Sequence, residues 1–195
     1  MLRKNRQMSK KIDIVGLYLF NYKRLFSGRE IARNLNVNHQ TALNILKIMV
    51  DDHILKTRVQ GRNILYSLNL EDFKVDHYLV LAETLKAQVS LENFELKSII
   101  KTILPLVDTL VVFGSFAQDK QRDDSDLDLV AIETISRQKL EEALKLFSRE
   151  INVHYVTWKE FIKSYTKKNN LALEIRKNHL IYGNIGRVVG LYLKE

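Results

Sequence analysis

VVFGSFAQDKQRDDSDLDLVAI, residues 111–132, is the most informative stretch of this chain. An apolar run ends in a Gly-Ser pair, a polar segment follows, and a second apolar run contains Asp126 and Asp128. Carboxylates are rarely buried, because moving an unpaired charge out of water costs several kcal/mol or more. Two aspartates among leucines therefore require a compensating partner, and a metal ion is the first candidate.

The spacing of the two aspartates places them on one side of a predicted strand. Side chains two residues apart project from the same face of a strand, which puts Asp126 and Asp128 together. Leu127 and Leu129 then enter the core on the other face. Two convergent carboxylates with room for water and phosphate oxygens suit Mg²⁺, so both aspartates are candidate metal ligands.

The Gly-Ser pair is suited to a phosphate group. Gly114 lets the backbone turn closely, and Ser115 offers a hydroxyl and a backbone N–H at the start of a predicted helical turn. We expect the polar segment that follows to close the site. An EF-hand would need a glycine and a glutamate where Leu129 and Ile135 stand, and a P-loop would need Gly-Lys-Ser/Thr, so both fail on spacing. A solvated acidic loop explains DKQRDD, but it does not explain aspartates interleaved with leucines.

Charge is distributed unevenly along the 195 residues. The chain has 31 Lys and Arg against 23 Asp and Glu, a net charge of +8. Residues 1–75 carry 14 of the basic and 6 of the acidic residues, so they hold the whole excess. We therefore expect a polyanion partner for this part, with a merely solubilising surface as the alternative.

The bulk composition, 46% apolar and 28% charged residues, indicates an ordinary globular protein. There are no cysteines, which excludes disulfides and Cys-ligated metal centres and fits a reducing compartment. The N-terminal stretch IDIVGLYLFNYKRLF is too short and polar for a membrane span. We expect a cytoplasmic protein without a membrane partner.

Residues 27–55 predict two short helices separated by a turn. Ser27 and Asn38 are suited to cap these helices, and Asn36 tolerates the left-handed conformation of a turn. The second helix has an apolar face and a polar face, the latter formed by Gln40, Asn44, Lys47 and Asp51. Residues 55–68 alternate in polarity on both sides of a turn at residues 60–63, which predicts a β-hairpin with a basic tip.

These elements resemble the winged helix–turn–helix DNA-binding domain over about residues 10–70, in the phrases SGREIARNLNV, TALNILKIMVDDHIL and GRNILYSLN. In that family the second helix of the motif enters the major groove, and the wing touches the backbone or the minor groove. The resemblance implies a set of residues that contact double-stranded DNA: Gln40, Thr41, Asn44 and Lys47 from the helix, and Arg58 and Arg62 from the wing. A winged helix used only for protein contacts is the alternative.

The rest of the chain predicts one or two connecting helices and a small α+β domain. Apolar residues at helical intervals in residues 71–105 end at Pro105, the only proline. After it, the strands TLVVFGS, DLDLVAI and NVHYVT alternate with helices, including SRQKLEEALKLFSREI, around one main sheet. We expect a DNA-binding domain over residues 1–75, connecting helices over 76–105 and a mixed-sheet domain over 106–195.

The pair FGSFA and DSDLDL resembles the minimal nucleotidyltransferases of the DNA polymerase β superfamily over about residues 95–183, as does the closing LEIRKNHLIYG. The whole chain is similar to prokaryotic, especially archaeal, proteins that join a winged helix to such a domain. The resemblance implies that Asp126 and Asp128 bind Mg²⁺. It also implies that Gly114 and Ser115 hold the triphosphate of a nucleoside triphosphate, with ATP favoured, and that a third carboxylate on a later strand completes the metal site.

The third carboxylate is the point where this chain departs from the family. EINVHYVT places Glu150, Asn152 and His154 on one face of a strand, and Asn152 or His154 stands where the family commonly has an acid. Glu150 lies on the same face of the strand, but it is two residues from Asn152, which is about 6.6 Å along a strand. His154 is a candidate base near neutral pH or a partly buried structural histidine.

Two functions follow from these resemblances. The first is Mg²⁺-dependent transfer of a nucleoside monophosphate from a nucleoside triphosphate to an unidentified acceptor. The second is a DNA-binding regulator whose transferase domain binds a nucleotide or a partner protein without efficient chemistry. A narrower alternative is the antitoxin role that some minimal nucleotidyltransferases play beside a helical toxin. A homodimer is compatible with each of them.

Overall fold

The structure, a computed structural model, describes residues 2–118 and 125–194 of the chain. It contains two compact units, Met1–Glu83 and Thr84–Glu195, which we call the N-terminal unit and the C-terminal unit. The boundary between them falls in the segment predicted to form connecting helices. No helix among the described residues has the length and apolar character that crossing a bilayer requires.

The N-terminal unit consists of short helices and a small antiparallel sheet. Its elements are α1 (Leu2–Gly16), β1 (Phe26–Ser27), α2 (Gly28–Asn34), α3 (His39–Asp51), β2 (Leu55–Gln60) and β3 (Asn63–Leu68). The strands are ordered β1-β3-β2, and both pairs are antiparallel. The two short helices and the hairpin predicted from the sequence are thereby confirmed.

Side-chain caps define the turn between α2 and α3. Ser27 caps α2 in a capping box with Glu30, and the Asn38 side chain accepts a hydrogen bond of 2.7 Å from the backbone N–H of Thr41. Asn36 has a φ of 51°, the left-handed conformation predicted for it. Because each cap satisfies N–H groups that a helix start leaves without intrahelical partners, α2 and α3 form as separate helices.

One face of α3 lies in the core and the other is exposed, as its spacing predicts. The buried side chains of α3 are Ala42, Ile45, Leu46 and Met49. Helix α1 contacts α3, and two residues after α1 the buried Tyr18 donates its hydroxyl to the Tyr66 carbonyl of β3 at 3.0 Å. The hairpin is therefore anchored to the same core as the helices.

The C-terminal unit is built around a mixed four-stranded sheet. Its elements are α4 (Phe73–Ser90), which begins in the N-terminal unit, α5 (Phe94–Ile103), β4 (Val107–Phe113), β5 (Leu127–Thr134), α6 (Arg137–Leu144), β6 (Ile151–Val156), α7 (Trp158–Thr166), α8 (Asn170–Lys177), β7 (His179–Gly183) and α9 (Ile185–Tyr192). The strand order is β6-β5-β4-β7, with β5 and β6 parallel and the other two pairs antiparallel. Pro105 lies in a 3₁₀ turn directly after α5, so the predicted helix stop and the predicted mixed sheet are both confirmed.

Helices cover both faces of this sheet. On one face the fully buried Leu127 and Leu129 belong to a core that includes Ile99 of α5 and Leu140 of α6. On the other face, where Val130 is also fully buried, α7 contacts β5 and β6, and α8 contacts β4. Asp128 shares that second face with Val130 but is partly exposed, so it lies where the helical cover ends.

Helix α6 is shorter than its sequence pattern predicts. The helical periodicity covers residues 136–151, but α6 ends at Leu144. In the turns that follow, Arg149 donates hydrogen bonds to Glu95 and to the backbone carbonyl of Ser125. These tertiary contacts override the local helical preference, which is weak in comparison.

Candidate functional site

The strand register brings the Gly-Ser turn, Asp128 and Asn152 side by side. Phe113, the last residue of β4, pairs with Asp128 in β5, and Asp128 pairs with Asn152 in β6. Gly114 directly follows Phe113. Residues that the sequence offered in separate motifs therefore meet at one end of the sheet.

Gly114 and Asp128 are in direct contact. A Cβ added at position 114 would lie 2.6 Å from Oδ2 of Asp128, closer than nonbonded atoms approach. The φ of 72° at Gly114 also belongs to the left-handed region, which favours glycine. Both the backbone and the available space therefore require glycine, and the Asp128 carboxylate is held against the turn.

Replacing Gly114 by alanine is expected to destabilise the protein by about 1–2 kcal/mol, the cost of a left-handed backbone for a residue with a Cβ. The new methyl group also forces the Asp128 carboxylate to move. Chemical denaturation of the full chain measures the change. Gly190→Ala is a matched control, because Gly190 lies in α9 and a Cβ there meets nothing within 4 Å. The free energy of unfolding of the Gly190→Ala control should rise by about 0.5–1 kcal/mol. Similar losses of stability in both variants would show that the turn does not depend on glycine.

Asn152 occupies the place beside Asp128 where a third carboxylate was expected. Its Nδ2 amide group donates a hydrogen bond of 3.3 Å to Oδ1 of Asp128. The register places Asn152, and not Glu150 or His154, next to Asp128. The neighbour of this aspartate is therefore a neutral amide that adds no negative charge.

Glu150 and His154 flank Asn152 along the same strand. Glu150 lies just before β6 with an exposed side chain, and its carbonyl accepts a hydrogen bond of 3.0 Å from the N–H of Leu127. His154 is also exposed, and its ring centroid lies 6.0 Å from that of Phe113. Each stays a candidate for reaching a group bound beside Asp128.

Asp126 and Ser115 lie at the margin of this arrangement. Strand β5 begins at Leu127, so the prediction that both aspartates lie within the strand is wrong for Asp126, which precedes it and is exposed. Ser115 is half-buried and directly precedes the 3₁₀ turn Phe116–Gln118, which is the helical turn predicted there. The polar segment predicted to close the site, residues 119–124, lies outside the described residues.

Asp126 and Asp128 are the side chains of this site that could hold a metal ion. Within the described part of the chain, no three His, Cys, Asp or Glu side chains are grouped to hold a metal ion. Asp126 and Asp128 offer two carboxylates, whereas Asn152 directs its Nδ2 amide group to Asp128. Mg²⁺ prefers oxygen ligands and is commonly held by one or two carboxylates together with waters and substrate phosphates. This donor set therefore fits one Mg²⁺ bound with a phosphate better than two metals held by protein alone.

Most of the residues predicted to contact DNA are exposed on the N-terminal unit. The exposed ones are Gln40, Asn44, Lys47, Arg58 and Arg62. Gln40 donates its amide Nε2 to Asn44 Oδ1 at 3.1 Å, so these two side chains form a short polar row on α3. Thr41 is half-buried, and its backbone N–H donates a hydrogen bond to the side chain of Asn38, which caps α3. Thr41 is therefore the least accessible of the predicted contacts.

Comparison with known proteins concerns mainly the C-terminal unit. Residues 95–179 match the nucleotidyltransferase domain family. The match confirms that this part of the chain resembles a nucleotidyltransferase domain, and it contains the residues predicted for the nucleotide site: Gly114, Ser115, Asp126, Asp128, Glu150 and His154. Among curated proteins, none matches the chain.

One solved structure aligns with nearly the whole of this chain. It is the structure of TrmBL2, described as an archaeal chromatin protein with a novel mode of DNA binding. The identity is 13%, the alignment covers 94% of this chain and 89% of that chain, and the TM-score is 0.25. A similarity this low does not establish a shared fold.

Proposed function

We propose that the C-terminal unit transfers a nucleoside monophosphate from a nucleoside triphosphate to an acceptor hydroxyl, and that the N-terminal unit binds double-stranded DNA. The observation that carries the first part is the contact between the Asp128 carboxylate and the Gly114 turn, inside the segment that matches the nucleotidyltransferase domain. This contact supports the proposal because a metal held by Asp128 would lie beside a backbone turn that phosphates can approach closely.

Each residue of the site has a defined role in this proposal. Gly114 lets the phosphates approach the backbone, and Ser115 donates its hydroxyl and N–H to phosphate oxygens. Asp126 and Asp128 hold Mg²⁺. The metal, when bound, neutralises charge on the phosphates and favours in-line displacement.

The reaction proposed is a displacement at the α-phosphorus. The acceptor oxygen forms a bond to the α-phosphorus, the bond between the α- and β-phosphates breaks, and pyrophosphate leaves. The hydroxyl proton passes to Glu150, His154 or water. With Asn152 beside Asp128 in place of an acid, we expect this proton transfer to be poorly assisted and turnover to be slow.

The same amide supports a second candidate function, a DNA-binding regulator that binds a nucleotide without turnover. Asn152 leaves the site with ligands for one nucleotide-associated metal and without a carboxylate placed beside Asp128 to activate an acceptor. Transfer of label from α-labelled ATP to candidate protein and RNA acceptors separates the two functions. Labelling supports the transferase, and nucleotide binding without labelling supports the regulator.

The DNA-binding proposal is supported by the order of elements in the N-terminal unit. Two capped helices, α2 and α3, are followed by a hairpin with exposed arginines, in the order of a winged helix–turn–helix. Residues 1–75 hold the whole positive excess of the chain. In this geometry α3 presents Gln40, Asn44 and Lys47 to the major groove, and the hairpin contacts phosphates.

Replacing Arg58 and Arg62 by alanine is expected to weaken DNA binding about equally for all sequences. The slope of log affinity against log salt should fall by about 2, because each lost phosphate contact removes about one unit. By contrast, Asn44→Ala should cost about 1–3 kcal/mol at a preferred site and little elsewhere. Fluorescence anisotropy at several salt concentrations measures both effects.

A matched control for the wing removes two positive charges elsewhere. Lys159→Ala with Lys163→Ala changes the net charge equally, on exposed residues of α7 in the C-terminal unit. This control should leave the salt slope unchanged. Equal losses in the two double variants, or no DNA affinity at low salt in the unmodified protein, would exclude the hairpin as a DNA contact.

A further inference from the structure

Within the described part of the C-terminal unit, Arg149 contacts three separate segments. Its Nε and Nη2 groups donate to the two carboxylate oxygens of Glu95 on α5, at 2.8 and 2.7 Å. Its Nη1 group donates to the backbone carbonyl of Ser125. Its guanidinium carbon lies 5.0 Å from the centre of the Phe116 ring. The Arg149 side chain is only 12% exposed, whereas the Glu95 side chain is 39% exposed, so the arginine is the more buried partner.

The contacted residues adjoin the candidate site on both sides. Ser125 directly precedes Asp126, and Phe116 directly follows Ser115. A single guanidinium group therefore touches the residue next to a proposed metal ligand and the residue next to a proposed phosphate ligand. Arg149 itself precedes β6, the strand that carries Asn152.

The chemistry of this pair favours a fixed geometry. A bidentate arginine–carboxylate pair is planar and directional, so the remaining N–H groups of the guanidinium point in fixed directions. The hydrogen bonds from Arg149 hold the pKa of the Glu95 carboxyl below its usual value, since they favour its ionised form. Lysine cannot reproduce the fork, because its ammonium group is a point charge on a flexible chain.

We propose that Arg149, oriented by Glu95, is a positioning residue that sets the placement of the Asp126 and Ser115 segments. In this proposal it acts through the two segments that it joins, by way of the Ser125 carbonyl and the Phe116 ring. The effect of Arg149 on nucleotide affinity rests on the proposed function. Its effect on the backbone of the two segments, measured without a ligand, does not depend on that proposal.

The test compares Arg149→Lys with the same change at Arg137, a more exposed arginine of the same unit. Arg137 also pairs with a glutamate, Glu141, at 2.8 Å, and also lies over an aromatic ring, 4.4 Å from the centre of Tyr155. That arginine contacts neither site segment through these bonds. Arg137→Lys therefore controls for the loss of a guanidinium–carboxylate hydrogen bond and of a cation–π contact.

Hydrogen exchange on the ligand-free full chain is the first measurement. In Arg149→Lys we expect faster exchange in peptides covering residues 111–118 and 125–132, and no such change in Arg137→Lys. Glu95→Gln, a milder change, should accelerate the same two peptides to a smaller extent. Exchange in these peptides equal to that of the unmodified protein in both Arg149→Lys and Glu95→Gln would overturn the proposal.

Calorimetry with Mg²⁺ and a non-hydrolysable ATP analogue is the second measurement. Arg149→Lys should lower the affinity about tenfold, near the lower end of what the loss of a partner that orients metal ligands costs. A melting temperature close to that of Arg137→Lys would show that the loss is not general unfolding. Equal affinities in the two lysine variants would overturn the proposal. Absence of binding in the unmodified protein would instead remove the proposed function and leave the exchange result standing.

Discussion

Replacing Asp126 and Asp128 together by asparagine is expected to abolish Mg²⁺-dependent binding of a nucleoside triphosphate. Loss of an outer partner of a metal ligand alone typically costs about 10- to 100-fold in affinity, so loss of both carboxylates should cost at least about 100-fold. Asparagine has nearly the size of aspartate. The packing of residue 128 against Gly114 should therefore survive while the ligand charges are removed.

Calorimetry with an ATP analogue, with and without Mg²⁺, measures this loss. The matched control is Glu141→Gln with Glu142→Gln, which removes two charges from exposed carboxylates on α6. Affinity for DNA serves as a check that the N-terminal unit is intact in both double variants. Unchanged nucleotide binding in the aspartate variant would mean that the site has been placed wrongly.

The two single variants should differ, because the structure gives the aspartates different surroundings. Asp128 is partly buried, lies against Gly114 and accepts a hydrogen bond from Asn152. Asp126 is exposed and precedes the strand. We expect Asp128→Asn to have the larger effect on nucleotide affinity, since its carboxylate is the more rigidly held of the two.

Features encoded by neighbouring residues were predictable from the sequence. The caps at Ser27 and Asn38, the left-handed Asn36 and the amphipathic α3 each depend on residues within one or two helical turns. The alternation around Leu127 and Leu129 likewise predicted which side chains enter the core of the sheet. Propensity and periodicity are sufficient where the energy that decides the structure is local.

Features that depend on pairing between distant segments were not predictable. The alternation of side chains along a strand placed Glu150, Asn152 and His154 on one face. Which of the three adjoins Asp128 depends on the register between β5 and β6. The pair of Arg149 and Glu95 joins positions 54 residues apart, and no local pattern connects them. Its absence from the sequence interpretation also explains why α6 was predicted too long, since that pattern treated Arg149 as a helical residue.

Replacing Asn152 by aspartate is expected to raise nucleotidyl transfer, because it places a third carboxylate directly beside Asp128. The gain can reach about 10²–10⁴ in rate, which is the usual contribution of general acid–base assistance. Two adjacent carboxylates repel each other in the absence of a cation. The variant should therefore be less stable than the unmodified protein without Mg²⁺, and it should gain more stability from Mg²⁺. Thermal unfolding at several Mg²⁺ concentrations detects this even when the acceptor is unknown.

Glu150→Gln is the comparison that assigns the third position. Glu150 is exposed just before β6, two residues before Asn152, which pairs with Asp128, so its loss should change transfer less than Asn152→Asp does. Transfer of label from α-labelled ATP to candidate protein and RNA acceptors is measured for both variants and the unmodified protein. A large loss in Glu150→Gln without a gain in Asn152→Asp would assign the third ligand to Glu150, which would then reach the metal from the strand end. If no variant is labelled while DNA binding and Mg²⁺-dependent nucleotide binding persist, the regulator is the better account, because the site would then hold a nucleotide without a group that activates an acceptor.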